Sequence, residues 1–223
     1  MIPVVINNFN RLCTTRKLVN DLIRLGVTDI RILDNDSTYP ALLDWYKNCG
    51  ADVVYLNRNI GSRALWDTGY VRTFRQNEFI AYTDSDIELD PNTPADILEV
   101  LTGLIRELRV PKAGLALRID DLPDNKFTEE LIRHEKQFWV KRLPHNLEVY
   151  NSILDTTFAV FRPREGFTYT AVRVAGEYTC RHRPWYADWD NLPEEEQYVL
   201  DHSDIKISTY KQKLLETNRH RSL

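Results

Sequence analysis

The sequence predicts an α/β fold: a mostly parallel open sheet flanked by helices on both faces, with an antiparallel element in its C-terminal half. Three observations point there. Apolar runs of strand length alternate with stretches of helical period through the first half, the pattern of β-α units around a parallel sheet. Most of these runs end in clusters of Asn, Asp, Ser or Gly, the residues that start turns and caps. In the second half the alternation becomes irregular, and strand-like runs at 112–119 and 156–163 flank a single helical stretch.

Each element has its own reason. PVVIN at 3–7 is an apolar run of strand length. TTRKLVNDLIRLG follows with Leu18, Leu22 and Leu25 on one helical face, Val19 and Ile23 beside them, and Gly26 as a stop. DIRILD at 29–34 is a second strand, and Leu42, Leu43 and Tyr46 before Gly50 mark a short helix. DVVYL at 52–56 is a third strand, a helix spans Ser62 to Arg75, and EFIAYT at 78–83 is a fourth strand. Thr93 is then placed as an N-cap, with Pro94 at the first helical position and Asp96 closing a capping box. The stripe Ile97, Leu101, Leu104 and Leu108 follows. KAGLALRI and TTFAVFRP read as strands on either side of a helix from Thr128 to Phe138. From Glu177 onward the chain is polar and aromatic, as a covering segment would be. Glu194, Glu195 and Glu196 read as the solvated first turn of a helix begun near Pro193. The expected organisation is one domain over 1–210, with 211–223 as a tail or a linker within a longer multidomain polypeptide.

Composition narrows the function. With 43% apolar and 28% charged residues the chain matches ordinary soluble globular proteins. A net charge of −4, with scattered Lys and Arg, gives no basic field and excludes nucleic acid as a partner. No apolar run approaches the roughly 18–20 residues of a membrane span. No signal peptide precedes the first strand, so a cytoplasmic location is expected. Cys13, Cys49 and Cys180 are odd in number, far apart and without CxxC spacing. That argues against a disulfide framework and a cysteine zinc site, and for a reducing compartment.

The strand ends carry the chemistry. In open α/β sheets ligands bind beyond the carboxyl ends of the strands. The first strand ends in Asn7-Asn8-Phe9-Asn10-Arg11 and the second in Asp34-Asn35-Asp36-Ser37-Thr38. The third is followed by Asn57-Arg58-Asn59-Ile60-Gly61-Ser62-Arg63, and the fourth by Asp84-Ser85-Asp86. Turn chemistry alone accounts for one such ending; four on one edge point to a site for a large polar ligand. In an extended segment residues i and i+2 share a face, so Asp84 and Asp86 are expected to converge. Two hard oxygen donors with no thiolate nearby suit Mg²⁺ or Mn²⁺.

Four stretches, IPVVINNFNRL, RILDNDST, LNRNIGSRALW and YTDSDIEL, carry a resemblance to glycosyltransferases of the GT-A fold, close to the family-2 group. It covers roughly residues 2–185 and is clearest up to Asp90. It implies a nucleotide-binding half over about 1–90 and an acceptor half over about 91–210. By position it implies that Asn7, Asp34 and Arg63 hold the nucleotide base and ribose, among cofactor-binding residues Phe9, Arg11, Asn35, Asp36, Asn59, Gly61 and Ser85. Asp84 would reach the ribose or the metal, Asp86 would be the main ligand of Mn²⁺ or Mg²⁺, and a late histidine, His182, would complete the metal site. Position 36 holds Asp where many members carry Gly, and the Glu-Asp pair of inverting members is absent from the expected place. The implied activity is metal-dependent transfer of a sugar from a nucleoside diphosphate sugar, UDP-linked, to a glycan hydroxyl, with an inverting course expected. Compact forms of this kind occur in bacteria and in large DNA viruses that glycosylate their own capsids, which would place a viral form in the host cytoplasm.

Such a reaction builds negative charge on the departing diphosphate, which a bound cation stabilises. An inverting enzyme also needs a carboxylate to take the acceptor's proton. Asp155 in ILDTTFAVF is preferred for that base, with Asp121 in RIDDLPD as the alternative; each reads equally as a cap or loop acid. Trp185, Tyr186 and Trp189 offer either sugar-stacking faces or core packing. Two rivals stay open: a non-catalytic nucleotide-sugar or carbohydrate-binding module of the same fold, and a Mg²⁺-dependent phosphatase of the haloacid dehalogenase type. A nucleotidyltransferase is disfavoured because NNFNRL contains no glycine, and a dinucleotide oxidoreductase because GxGxxG is absent.

Overall fold

The computed structural model describes residues 1–125 and 127–204. The expected domain end at 210 and the tail at 211–223 lie outside the described residues. The elements run β1 (Val4–Asn8), α1 (Cys13–Arg24), β2 (Ile30–Asp34), α2 (Pro40–Tyr46), β3 (Asp52–Tyr55), α3 (Ala64–Asp67), β4 (Ile80–Asp84) and β5 (Ile87–Leu89). They continue with α4 (Ile97–Leu108), β6 (Lys112–Leu115), α5 (Thr128–Lys136), β7 (Val149–Ile153), β8 (Ala159–Phe161), β9 (Thr170–Val174), β10 (Cys180–His182) and α6 (Glu194–His202).

Eight strands form one sheet in the order β3-β2-β1-β4-β8-β6-β9-β7, and β5 and β10 form a separate two-stranded ladder. β3, β2, β1 and β4 are mutually parallel; β8 is antiparallel to both of its neighbours, and β7 is antiparallel to β9. This is the mostly parallel α/β architecture of a GT-A-like fold. The alternating side chains of a strand explain the two faces. Val4 and Ile6 of β1 pack with α1, α2 and α4, whereas Val5 packs with Leu65 and Phe74 on the opposite face. All three are fully buried, so both faces of β1 are dry.

The elements follow the sequence closely in the first half, with instructive departures. The helix expected over Ser62–Arg75 is broken: α3 is four residues long, Gly69 takes a left-handed φ of 74°, and a 3₁₀ turn covers Tyr70–Phe74. Glycine adopts that backbone without steric cost, so the chain reverses there. The capping box at Thr93 is absent. Helix α4 starts at Ile97 from Asp96, and the Thr93 N–H closes a turn onto the Asp90 carbonyl instead. Ile23, assigned to the flank of the α1 stripe, is half exposed. Strands β5, β7, β9 and β10 have no counterpart in the sequence reading. Glu195 and Glu196 are not solvated: Glu195 accepts the Cys13 N–H, and Glu196 pairs with Arg11. These contacts fasten α6 over the turn after β1, and the late segment does cover the sheet edge.

Candidate active site

The strand order reverses direction between β1 and β4, and the crevice at such a switch point is where open sheets bind ligands. Register makes it polar. Asn7 pairs with Asp84 and Asn8 with Asp34, so the polar ends of three strands reach one edge. A cavity of about 590 Å³ opens there, within the range of sites that enclose drug-sized ligands. Its walls carry Asn7, Phe9, Arg11, Asn35, Asn59, Gly61, Asp84, Ser85, Asp86, Asp155 and His182 of the residues expected from sequence.

Neutral amides brace the wall built by the first half of the chain. Asn35 accepts the Ile60 N–H at 2.7 Å and donates to the Gly61 carbonyl at 3.0 Å, and Asn7 donates to the same carbonyl at 3.3 Å. Asn59 accepts the Gly61 N–H at 2.9 Å, and Gly61 has a φ of 86°. The loop after β3 is thus tied to the ends of β1 and β2. Three of the residues expected to bind nucleotide stand outside the cavity wall. Asp34 is buried, accepting the Tyr46 hydroxyl at 2.8 Å and the Ser37 N–H at 3.0 Å, and so shapes its own turn. Asp36 is exposed with a φ of 72°. Arg63 pairs with Asp67 at 3.6 Å and lies over the Phe167 ring.

The acidic pair converges differently from the expectation. The chain turns at Ser85–Asp86 and does not run extended, yet both carboxylates reach the cavity. Asp84 accepts the Thr156 hydroxyl at 2.6 Å. Burial, and then the nearby charge of Asp86, push its carboxyl well above the usual carboxylate range. Asp86 goes the other way. Burial would raise it, but His182 and Arg11 outweigh that and hold it low. The Arg11 Nε lies 3.5 Å from one oxygen, and His182 Nε2 lies 3.3 Å from the other, Oδ1, without forming a hydrogen bond to it. β10 delivers His182: its antiparallel pairing with β5 sets His182 opposite Ile87, one residue beyond Asp86.

Among the described residues no group of three His, Cys, Asp or Glu side chains is placed to hold a metal ion. Two features of the acidic pair bear on cation binding. Asp86 Oδ1 is buried without a hydrogen-bond donor among the described residues, and Asp84 is a carboxyl whose proton a cation would displace. Hard oxygens with one imidazole suit Mg²⁺ or Mn²⁺, which retain water and phosphate oxygens as further ligands.

The opposite wall belongs to the second half. Asp155 is exposed on the rim, in a turn built by two buried residues. Lys112 Nζ donates to the carbonyls of Leu154, Asp155 and Thr168. Gly114 leaves no room for a side chain, since a Cβ would lie 2.3 Å from Leu154 Cδ2 and 2.5 Å from the Phe158 carbonyl. Asp121 is elsewhere, bonded to Tyr186 and Arg181 in a surface network whose donors outweigh burial and lower its carboxyl. Of the three late aromatics, Trp185 lines the cavity, Tyr186 serves Asp121, and Trp189 packs edge-on against Phe127. The wall also holds residues that sequence reading passed over: Glu135, Phe138, Thr156, Tyr169 and Arg173. For Glu135 a signal existed, because Thr128, Leu131 and Glu135 share one buried face of α5 and a carboxylate there has no packing role.

Fold and site together define an α/β protein with GT-A-like architecture and a polar cavity at its strand ends. No family model and no curated protein matches the sequence. Among solved structures the chain is similar to HddC from Yersinia pseudotuberculosis, with TM-score 0.47 and 11% identity over 89% of this chain and 98% of that one. It is also similar to a protein described as a glucose-1-phosphate thymidylyltransferase from Bacillus anthracis, with TM-score 0.45 and 10% identity over 74% and 72%. A shorter likeness, TM-score 0.27 and 14% identity over 60% and 37%, is to the glycosyltransferase GlyE of Streptococcus pneumoniae. These are distant likenesses of fold. No helix among the described residues is long and apolar enough to cross a membrane.

Proposed function

We propose that this chain is a metal-dependent glycosyltransferase of the family-2 kind, moving a sugar from a UDP-linked donor to a glycan hydroxyl. The observation that carries this reading is the meeting of Asp84, Asp86, His182 and Arg11, from three separate segments, in one cavity at the sheet's switch point. Asp86 and Asp84, with His182, would hold Mn²⁺ or Mg²⁺. Such a cation, when bound, neutralises charge on the leaving diphosphate. The Arg11 guanidinium adds a fixed positive charge beside it, already oriented by Asp86 and Glu196. Asn7, Asn35 and Asn59 fix the loop that forms the opposite lip, where base and ribose would lie. A carboxylate across the cavity takes the acceptor's proton; Asp155 and Glu135 both stand on that side.

The test is a thermal-shift screen of UDP-sugars with and without Mn²⁺. Ligand at about a hundred times Kd adds roughly 2.7 kcal/mol of stability. We expect a shift only when metal and UDP-sugar are both present, and its loss in Asp86→Ala, with UDP release falling by about 10²–10³-fold. Equal shifts with and without Mn²⁺ would overturn the metal assignment. Stabilisation with no UDP release would mark a binding module.

A further inference from the structure

The acceptor side of the cavity contains an ion pair that the fold does not need. Glu135 of α5 and Arg173 of β9 are almost wholly buried, with side chains 3% and 6% exposed, yet both line the cavity. Burying two charges costs more than their attraction usually returns, so a core position of this kind is better filled by apolar residues. The pair is also rigidly built. Arg173 donates one guanidinium N–H to Glu135 Oε1 and another, from Nε, to the Ile153 carbonyl at 2.8 Å, and its plane lies 4.3 Å from the Phe138 ring centre. In the sheet, Arg173 sits between Gly114 and Tyr150. Only Oε1 of Glu135 is engaged, which leaves Oε2 without a donor among the described residues.

We propose that Glu135, positioned by Arg173, is the general base that takes the proton from the attacking acceptor hydroxyl. The proposal rests on the donor reading above and names the residue that completes it. In the step, the acceptor oxygen bonds to the anomeric carbon as its proton passes to Glu135. The bond from that carbon to the β-phosphate oxygen breaks, and the electron pair leaves with UDP. Glu135 is better placed than Asp155 for three reasons. It is shielded from water, where a carboxylate's basicity can be raised toward neutrality. Burial does raise it, against the opposing effects of Arg173 and His182. Its carboxylate is also held in place by Arg173, in the cavity that Asp86 and His182 line. The groups around it are Arg173 and Cys180 on the neighbouring strands and His182.

The experiment compares Glu135→Gln with Asp155→Asn, using the UDP-hexose that most stabilises the wild type with Mn²⁺. The expected result has two parts. Stabilisation by UDP-hexose and Mn²⁺ is kept in Glu135→Gln while kcat for UDP release falls about 10²–10⁴-fold. The wild type is expected to show a fall of kcat toward acid pH, and that fall should vanish from the residual rate of Glu135→Gln, because glutamine has no proton to bind. A merely structural role would leave that acid limb in place. Should Glu135→Gln fail to fold, the double variant Glu135→Gln, Arg173→Met removes both charges and replaces them with groups of similar volume. The same loss of rate and of acid limb is expected there. Retained kcat, or an unchanged acid limb, with UDP-hexose stabilisation intact overturns Glu135 as base while leaving the donor reading standing. Absence of any UDP-sugar shift in the wild type overturns the donor reading and this proposal together.

Discussion

The two walls of the cavity are built on opposite principles. On the wall built by the first half, the proposed donor side, amides at strand ends accept or donate to the backbone of a neighbouring turn: Asn35 on Ile60 and Gly61, Asn10 on Thr38 and Tyr39. On the acceptor side the corresponding groups are ions: Lys112 gripping three carbonyls, and Glu135 locked to Arg173. A lost amide bond costs about 1 kcal/mol, because such a group exchanges one partner for water with little net change. A buried ion robbed of its partner has no such exchange. Single substitutions should therefore cost more on the second-half wall, where they strand a buried charge, than on the first-half wall.

The sharpest way to break that contrast is Arg173→Leu. It strands the Glu135 carboxylate and should cost about 3–5 kcal/mol. For a chain of this length each kcal/mol is worth roughly 2–4 °C, so the melting temperature should fall by several degrees at least. Asn35→Ala, its counterpart on the donor wall, should cost about 1 kcal/mol. Comparable losses in the two variants, read from urea midpoints, would erase the distinction.

Next comes Gly114→Ala. The added methyl meets Leu154 and the Phe158 backbone at distances no rotamer relieves, so the Asp155 turn must move. Overpacking of this severity should cost about 2–3 kcal/mol. UDP-hexose stabilisation should persist because the donor wall is untouched. A variant that folds as well as the wild type would show that the turn is looser than its contacts imply.

The same contrast explains what the sequence revealed. The first-half wall was legible because each part is local: an apolar run, then Asn, Asp or Gly, with parallel strands expected from the β-α rhythm. Asn7, Asn35, Asn59, Gly61, Asp84 and Asp86 all follow from that grammar. Asp34 shows its limit, since an acid at a strand end serves a turn as readily as a ligand, and only the Tyr46 hydroxyl decides. The acceptor wall is non-local. β9 reads TAVRV, and the arginine at its fourth position hides a buried strand whose charge is answered by Glu135 on a helix 38 residues away in sequence. β5 and β10 are three residues each, too short to carry a pattern, and their pairing alone brings His182 to Asp86.

Asp84 adds a different case, a buried acid on the first-half wall whose proton is held by its surroundings. Its carboxyl is raised by burial first and by the charges of Asp86 and Asp155 next, against the Thr156 hydroxyl, which favours the ionised form. In the unfolded chain an aspartate loses its proton near pH 4. The folded, metal-free protein holds that proton to higher pH, so across the interval between the two values the native state binds more protons. Stability contributed by this group therefore falls as pH rises through that interval. Asp84→Asn keeps an acceptor for Thr156, carries no charge and should abolish this part of the slope. With EDTA present, the variant should be about 1 kcal/mol more stable than the wild type at neutral pH, with the gain shrinking below pH 4. Urea midpoints measured from pH 3.5 to 8 check this, and a constant offset between the two proteins would deny the raised carboxyl. On the proposed metal reading the same variant should also lose the Mn²⁺-dependent response to UDP-sugar, because an amide lacks the charged oxygen that would hold the cation. A residue whose removal stabilises the fold and destroys binding is held there by function.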